Sequence, residues 1–132
     1  MDLTTLRRRL SERLDAEPDA VVAYLFGSLA RGDFHRHSDA DVAVLFAADP
    51  PRTLAGLRLD LEADLEAIAG RRVQLVVLNR APVDLVHRVL RDGVLLLDRD
   101  PSARIRFEVR SRNAYFDLLP VLRRYRRMEA AG

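Results

Sequence analysis

The sequence predicts a small α/β protein in which a mixed β-sheet carries helices packed on one side and the chain ends in a long C-terminal helix. Two observations support this class. Four short apolar runs alternate with segments whose leucines and valines recur at helical spacing. The chain of 132 residues has the length of one domain and can bury one core. We therefore expect residues 1–132 to form a single domain.

The first half of the chain is predicted to contain two helices and two strands. Leucines at helical spacing indicate the first helix: Leu3, Leu6, Leu10 and Leu14. Strands are expected at 21–26 and 40–46, where β-branched and aromatic runs are bounded by turn residues. Residues 52–69 are typical of an amphipathic helix, and Gly70 is a suitable residue to end it.

The second half is predicted to add two strands and two helices. The apolar run at 73–78 indicates the third strand, and Pro82 is expected to open a short helix. A fourth short strand is expected at 94–97. The C-terminal helix is predicted over about 101–127, with a kink at Pro120 because proline removes a donor and crowds the preceding turn.

Composition excludes several classes of protein. The chain has no cysteine, which excludes disulfides and thiolate metal sites and fits a cytoplasmic location. No apolar stretch approaches the ~20 residues that a membrane span needs, so we expect no membrane association. All 22 basic residues are arginine. Any phosphate must therefore be held by backbone N–H groups, a metal or guanidinium groups, and never by lysine.

Charge is distributed unevenly along the chain. Residues 1–98 carry a net charge of −3, whereas residues 99–132 carry +5. This asymmetry indicates either a basic surface for an acidic partner or an ordinary solvated helix face. Aromatic residues lie among these arginines, which also permits direct RNA binding. The sequence favours RNA binding less than a protein partner.

The most informative motif combines Gly27-Ser28, at the end of the first predicted strand, with Asp39-Ala40-Asp41 at the start of the second. Asp39 and Asp41 should point to the same face, roughly 6.6 Å apart along the strand. Their repulsion is about 2–3 kcal/mol at an effective dielectric of ~20. Mg²⁺ relieves it, because this cation binds carboxylate oxygens together with substrate phosphates. We expect both aspartates to be catalytic metal ligands.

The glycine-serine pair supplies the other half of the predicted site. Glycine lets the backbone approach a triphosphate closely, and Ser28 adds a hydroxyl donor. Both Gly27 and Ser28 are therefore expected to bind the nucleotide. Arg31 either reaches a phosphate bidentately or pairs with Asp33 on the surface, and the sequence leaves both roles open.

A rival interpretation concerns the string His35-Arg36-His37-Ser38-Asp39, which has the spacing of a zinc cluster in a hydrolase. The metallo-β-lactamase pattern needs a histidine at the position of Ala40. Only His87 remains elsewhere in the chain to complete such a site. A polar loop before the second strand is the favoured interpretation.

The fuller string Gly27-Ser28-Leu29-Ala30-Arg31-Gly32-Asp33, followed by Ser38-Asp39-Ala40-Asp41, resembles the minimal nucleotidyltransferase (MNT) branch of the DNA polymerase β-like nucleotidyltransferase superfamily. The resemblance implies the small nucleotidyltransferase fold and Mg²⁺-dependent transfer of AMP from ATP. It further implies an antitoxin that forms a hetero-oligomer with a HEPN-domain ribonuclease toxin and adds AMP to a tyrosine hydroxyl of that toxin.

One position departs from the family pattern. Members usually carry a third carboxylate on a neighbouring strand, within a valine-aspartate-leucine-valine run in the MNT branch. This chain has Val73-Gln74-Leu75-Val76. Glutamine carries no charge and cannot accept a proton at neutral pH. The alternative function is therefore a nucleotide-binding antitoxin, weak or inactive in catalysis, that neutralises its partner by contact alone. A transferase acting on small molecules such as antibiotics or sugars is a third class.

Overall fold

A four-stranded sheet forms the centre of the fold in the computed structural model, which describes residues 1–32 and 38–131. The strands are β1 (Ala20–Phe26), β2 (Ala40–Phe46), β3 (Val73–Val77) and β4 (Val94–Asp98). Their order across the sheet is β3-β2-β1-β4. β1 runs antiparallel to β2 and β4, whereas β2 and β3 are parallel. The predicted mixed sheet is confirmed, and so are all four strand positions.

Four α-helices cover both faces of this sheet in the described chain. They are α1 (Leu3–Asp15), α2 (Leu59–Ala69), α3 (Val83–Asp92) and α4 (Pro101–Ala131). One core cluster joins α1 and α2 to Leu25 of β1, and a second joins α3 and α4 to Tyr24. Adjacent strand residues point to opposite faces. The prediction that the helices pack on one side is therefore wrong. β1 and β2 are apolar on both faces, and such runs do not reveal which helix covers which face.

The helix predicted over 52–69 is divided in two. Leu54–Leu57 form a short 3₁₀ helix, Arg58 adopts a left-handed backbone with φ of 53°, and α2 begins at the next residue. Gly56 packs so tightly on the backbone of Pro51 that a Cβ would overlap it. Leu54 and Leu57, at the two ends of the 3₁₀ helix, are 77% and 53% exposed, so they do not belong to the buried face that an amphipathic helix over 52–69 would have.

The C-terminal helix α4 is confirmed and is longer than predicted. It runs to Ala131 and continues through Pro120. Phe107 anchors it in the second core cluster, whereas several large apolar side chains farther along the helix are exposed. A bend at Pro120 stays a prediction. Among the described residues, no helix combines the length and apolar character that crossing a bilayer requires.

Two carboxylates of α2 protect the free edge of β3. The N–H of Val73 donates to Glu66 Oε1 at 3.1 Å, and the N–H of Leu75 donates to Glu62 Oε2 at 2.9 Å. These bonds satisfy donors that an edge strand otherwise exposes. They also fix the backbone on either side of Gln74, the residue between them.

Candidate active site

A hydrogen-bonded turn follows β1 and carries the glycine-serine pair. The N–H of Arg31 donates to the carbonyl of Gly27 at 3.2 Å, and the N–H of Gly32 donates to the carbonyl of Leu29 at the same distance. Leu29 is 1% exposed and belongs to the core cluster of α1 and α2. These two bonds close a single helical turn after β1. Its buried leucine holds the turn in a fixed position relative to β1.

Gly27 and Asp41 are in direct contact across the end of the sheet. Phe26 pairs with Asp41 in the antiparallel register of β1 and β2. A Cβ placed on Gly27 would overlap Asp41 Oδ2 and lie 3.2 Å from its Cγ. Gly27 also has a φ of +76°, a backbone angle that residues with a side chain rarely adopt. The predicted glycine-serine turn and one of the two predicted aspartates therefore lie together.

Asp39 and Asp41 occupy the start of β2. Asp39 is exposed and Asp41 is half-buried. Burial raises the pKa of Asp41, and the negative charge of Asp39 raises it further. Arg31 and Arg88 act in the opposite direction and lower this pKa. The carboxylate of Asp41 is thus held at an electrostatic cost that a bound cation relieves.

Arg31 contacts an acidic residue that the sequence did not predict. Its Nη1 lies 3.6 Å from Asp92 Oδ2, at the C-terminal end of α3, and the Arg31 side chain is 50% exposed. Asp33, the partner considered from sequence, lies outside the described residues. An exposed ion pair at this distance contributes little, about 0–1 kcal/mol, so an anionic ligand can displace it. The role of Arg31 in phosphate binding stays a prediction.

Gln74 is the strand neighbour of Asp41. The parallel register of β2 and β3 pairs the two residues, which places both side chains on the same face. Gln74 is exposed there. The structure therefore puts a neutral amide beside the carboxylates, on the neighbouring strand.

Asp98 lies away from Asp39 and Asp41. Asp98 pairs with Val22 of β1, whereas Asp41 pairs with Phe26 of the same strand. The two partners are four residues apart, or about 13 Å along β1. Its Oδ2 accepts a hydrogen bond from Arg104 Nε at 2.8 Å. Asp84 is exposed on α3. In the part of the chain that the structure describes, no three His, Cys, Asp or Glu residues form a metal-binding group.

The loop before β2 is described only in part. His35 and His37, on which the zinc interpretation depends, lie outside the described residues. Ser38 is half-buried, and its carbonyl accepts a hydrogen bond from Arg71 Nη1 at 3.1 Å. This contact fixes the backbone immediately before Asp39.

Two carboxylates suit a hard cation that shares its ligands with a substrate. Mg²⁺ uses one or two protein carboxylates and completes its coordination with phosphates and water. Asp39 and Asp41 offer that donor set beside a turn whose glycine leaves room for a phosphate. The residues present therefore fit a magnesium–nucleotide pair better than a metal held by protein ligands alone.

The profile of the family described as "Polymerase beta, Nucleotidyltransferase" matches residues 8–102. The chain belongs to this nucleotidyltransferase family. The matched segment contains the turn after β1, both aspartates and Gln74. The family assignment inferred from the motif is confirmed.

Two curated relatives carry the name "Protein adenylyltransferase MntA". The protein from Shewanella oneidensis is 39% identical over 79 residues, which cover 60% of this chain and 55% of that protein. The protein from Thermococcus cleftensis is 34% identical over 92 residues, which cover 70% of this chain and 86% of that protein. The aligned part of the chain thus spans about half the length of the Shewanella relative.

A chain of one solved structure is similar to this chain over nearly its whole length. It is a chain from a toxin–antitoxin complex with AMP-PNP, with a TM-score of 0.79 and 28% identity. The similarity covers 96% of this chain and 98% of that one. It therefore includes α4, which lies beyond the segment matched by the family profile.

Sequence reasoning missed Arg88 and Asp92 as neighbours of the site. Both lie on α3, one helical turn apart, and therefore on the same face of the helix. Their spacing was visible in the sequence. Only the packing of α3 beside the turn after β1 shows that this face looks toward the predicted site.

Proposed function

We propose that this nucleotidyltransferase is an antitoxin that transfers AMP from ATP to a tyrosine hydroxyl of a HEPN-domain toxin. The contact between Gly27 and Asp41 is the observation that carries the proposal, because it joins a phosphate-binding type of turn to a metal-binding type of carboxylate. The names of the two curated relatives support an adenylyltransferase. The similar toxin–antitoxin chain with AMP-PNP supports both the nucleotide and the partner.

Each site residue has a role in this proposal. Gly27 presents its backbone to the triphosphate, Ser28 donates its hydroxyl, and Arg31 exchanges Asp92 for a phosphate oxygen. Asp39 and Asp41 would hold Mg²⁺. When bound, Mg²⁺ neutralises the phosphates and stabilises the pyrophosphate that leaves. In this proposal these five residues together position the α-phosphorus.

The acceptor hydroxyl attacks the α-phosphorus of ATP. A new phosphorus–oxygen bond forms, the bond to pyrophosphate breaks, and the hydroxyl proton must be released. Gln74 can accept a hydrogen bond from this hydroxyl through its amide oxygen and so orient it, but it cannot take the proton. Proton release to solvent is slower than transfer to a positioned base. We therefore expect a slow transferase.

Gln74 also favours a second candidate function. In this second function the chain keeps the turn after β1 that binds the nucleotide, lacks a catalytic base, and neutralises its partner by binding alone. In that case ATP binding is retained while AMP transfer is absent. The two functions predict different products from the same mixture of proteins.

The test uses the purified chain, the toxin, Mg²⁺ and ATP labelled in the adenine moiety. Label on the toxin that is lost with Asp39→Asn or Asp41→Asn supports the transferase. Asp117→Asn is the matched control, because Asp117 is an exposed aspartate on α4 and should leave labelling unchanged. Tight binding of the toxin without label supports the second function. Label on a small molecule contradicts a protein acceptor.

A further inference from the structure

Arg88 is an arginine near the predicted site with an unassigned role. It lies on α3, which packs on the face of the sheet to which Ala43 of β2 points. Asp41 is two residues from Ala43 and therefore points to that face as well.

The contacts of α3 show which way Arg88 faces. Asp92 contacts Arg31 in the turn after β1. Arg88 precedes Asp92 by four residues, which puts both on one face of the helix. The Arg88 side chain therefore lies on the helix face that looks toward the turn and the two carboxylates.

The guanidinium of Arg88 is available for a ligand. Arg31 and Arg91 both pair with Asp92, at 3.6 and 3.0 Å. Within residues 1–32 and 38–131, Arg88 forms neither an ion pair nor a side-chain hydrogen bond, and it is exposed.

Other arginines reinforce the positive charge around Arg88. It borders a cavity of about 200 Å³ between α3 and α4, which is also lined by Arg91 and Arg126. Asp84 is the one acidic residue among the described residues that line this cavity. This cavity beside Arg88 therefore attracts an anion.

We propose that Arg88 is a nucleotide-binding residue that contacts the phosphate chain of ATP from the α3 side. This inference rests on the proposed function. The turn after β1 approaches the phosphates from one side with backbone N–H groups, and Arg88 closes on them from the other. A planar guanidinium suits this role because it can bind two phosphate oxygens at once.

The test compares the affinities of variants for Mg-ATP and for adenosine by calorimetry. Arg88→Ala should weaken Mg-ATP binding about five- to tenfold, the effect of losing one charge-assisted contact, and should leave adenosine binding unchanged. The Mg-ATP affinity of Arg88→Lys should lie between those of Arg88→Ala and the unmodified chain. Lysine keeps the positive charge but cannot donate two parallel hydrogen bonds to a phosphate. Arg9→Ala is the matched control, because Arg9 is exposed on α1, which packs on the other face of the sheet.

Each outcome decides the proposal. A loss confined to Mg-ATP supports it, provided that thermal unfolding of Arg88→Ala matches that of the control. Equal affinities for Arg88→Ala and Arg9→Ala overturn it while leaving the proposed function intact, and so does an equal loss for ATP and adenosine. If the unmodified chain binds no Mg-ATP, the proposed function fails first and this inference fails with it.

Discussion

The carboxylate of Asp41 fills the space that a side chain on Gly27 would need. The two residues come from neighbouring strands, and a Cβ on Gly27 would overlap Asp41 Oδ2. Two features therefore favour glycine at position 27: the backbone φ of +76°, and the absence of space for a Cβ next to Asp41. Gly70 has a φ of +65°, but no atom lies within 4 Å of the point that its Cβ would occupy, so the two effects can be separated experimentally.

Gly27→Ala should lower both stability and nucleotide affinity. The left-handed backbone alone costs about 1–2 kcal/mol for a residue with a side chain. Displacement of Asp41 adds to that cost and moves a predicted metal ligand. Gly70→Ala, the matched control, should show only the backbone cost and bind Mg-ATP normally. Urea unfolding and calorimetry measure the two quantities, and equal ATP affinities for the two variants would contradict the assignment.

Asp41→Asn should make the folded chain more stable at neutral pH while removing Mg-ATP binding. Burial and Asp39 raise the pKa of Asp41, so folding penalises its ionised form. The penalty is fully present at a pH above the raised pKa of the folded state and disappears only below the ordinary aspartate pKa, where the carboxyl is protonated in both states. The stability that Asp41→Asn gains over the unmodified chain should therefore decrease as the pH is lowered.

Urea unfolding at neutral and acidic pH checks this sign. Asp117→Asn, on the exposed part of α4, should change stability at neither pH. A loss of stability in Asp41→Asn at neutral pH would mean that the carboxylate makes favourable contacts in the folded chain that outweigh its burial.

Gln74→Asp should accelerate AMP transfer. The register of β2 and β3 places residue 74 beside Asp41, so an aspartate there supplies a base next to the predicted metal ligands. A positioned base contributes typically about 10²–10⁴-fold. Because the new carboxylate lies beside two others, its pKa should be raised, and the rate should increase with pH as it ionises. Gln74→Asn is the neutral control. Equal rates for the two variants at every pH would show that proton removal does not limit the reaction.

The strands and the predicted site could be read from the sequence because their determinants are local. Gly27 ends an apolar run, and Asp39 and Asp41 open the next one, so alternation along a strand was enough to place both aspartates on one face. The separate 3₁₀ helix at Leu54–Leu57 could not be predicted in this way. Its leucines have helical spacing, but the contact between Gly56 and Pro51 depends on the path of the folded chain.

The helix arrangement and the surroundings of the site depend on tertiary packing. Tyr24 and Leu25 are both buried, and nothing in such a run distinguishes the face that meets α3 from the face that meets α1. Arg88 and Asp92 come near the carboxylates only because α3 packs on the face to which they point. The sequence therefore predicts the residues contributed by β1 and β2 and misses those contributed by α3.

Tyr24→Phe should destabilise the attachment of α4 without affecting ATP binding. The Tyr24 hydroxyl donates to Glu108 Oε1 at 2.8 Å, and this partly buried contact joins β1 to α4. Losing such a hydrogen bond costs about 1 kcal/mol, although Arg104 continues to pair with Glu108. Tyr125→Phe is the matched control, because the Tyr125 side chain is exposed.

The pH dependence of the same variant gives an independent check. Burial and Glu108 raise the pKa of Tyr24 above its ordinary value of 10.0. The folded chain thus holds the neutral phenol, and the stability it contributes is fully present below that value. This stability is lost as the pH rises, because the unfolded chain ionises first. Alkaline unfolding should therefore be steeper in the unmodified chain than in Tyr24→Phe. Parallel curves would indicate that α4 does not bury this hydroxyl in solution.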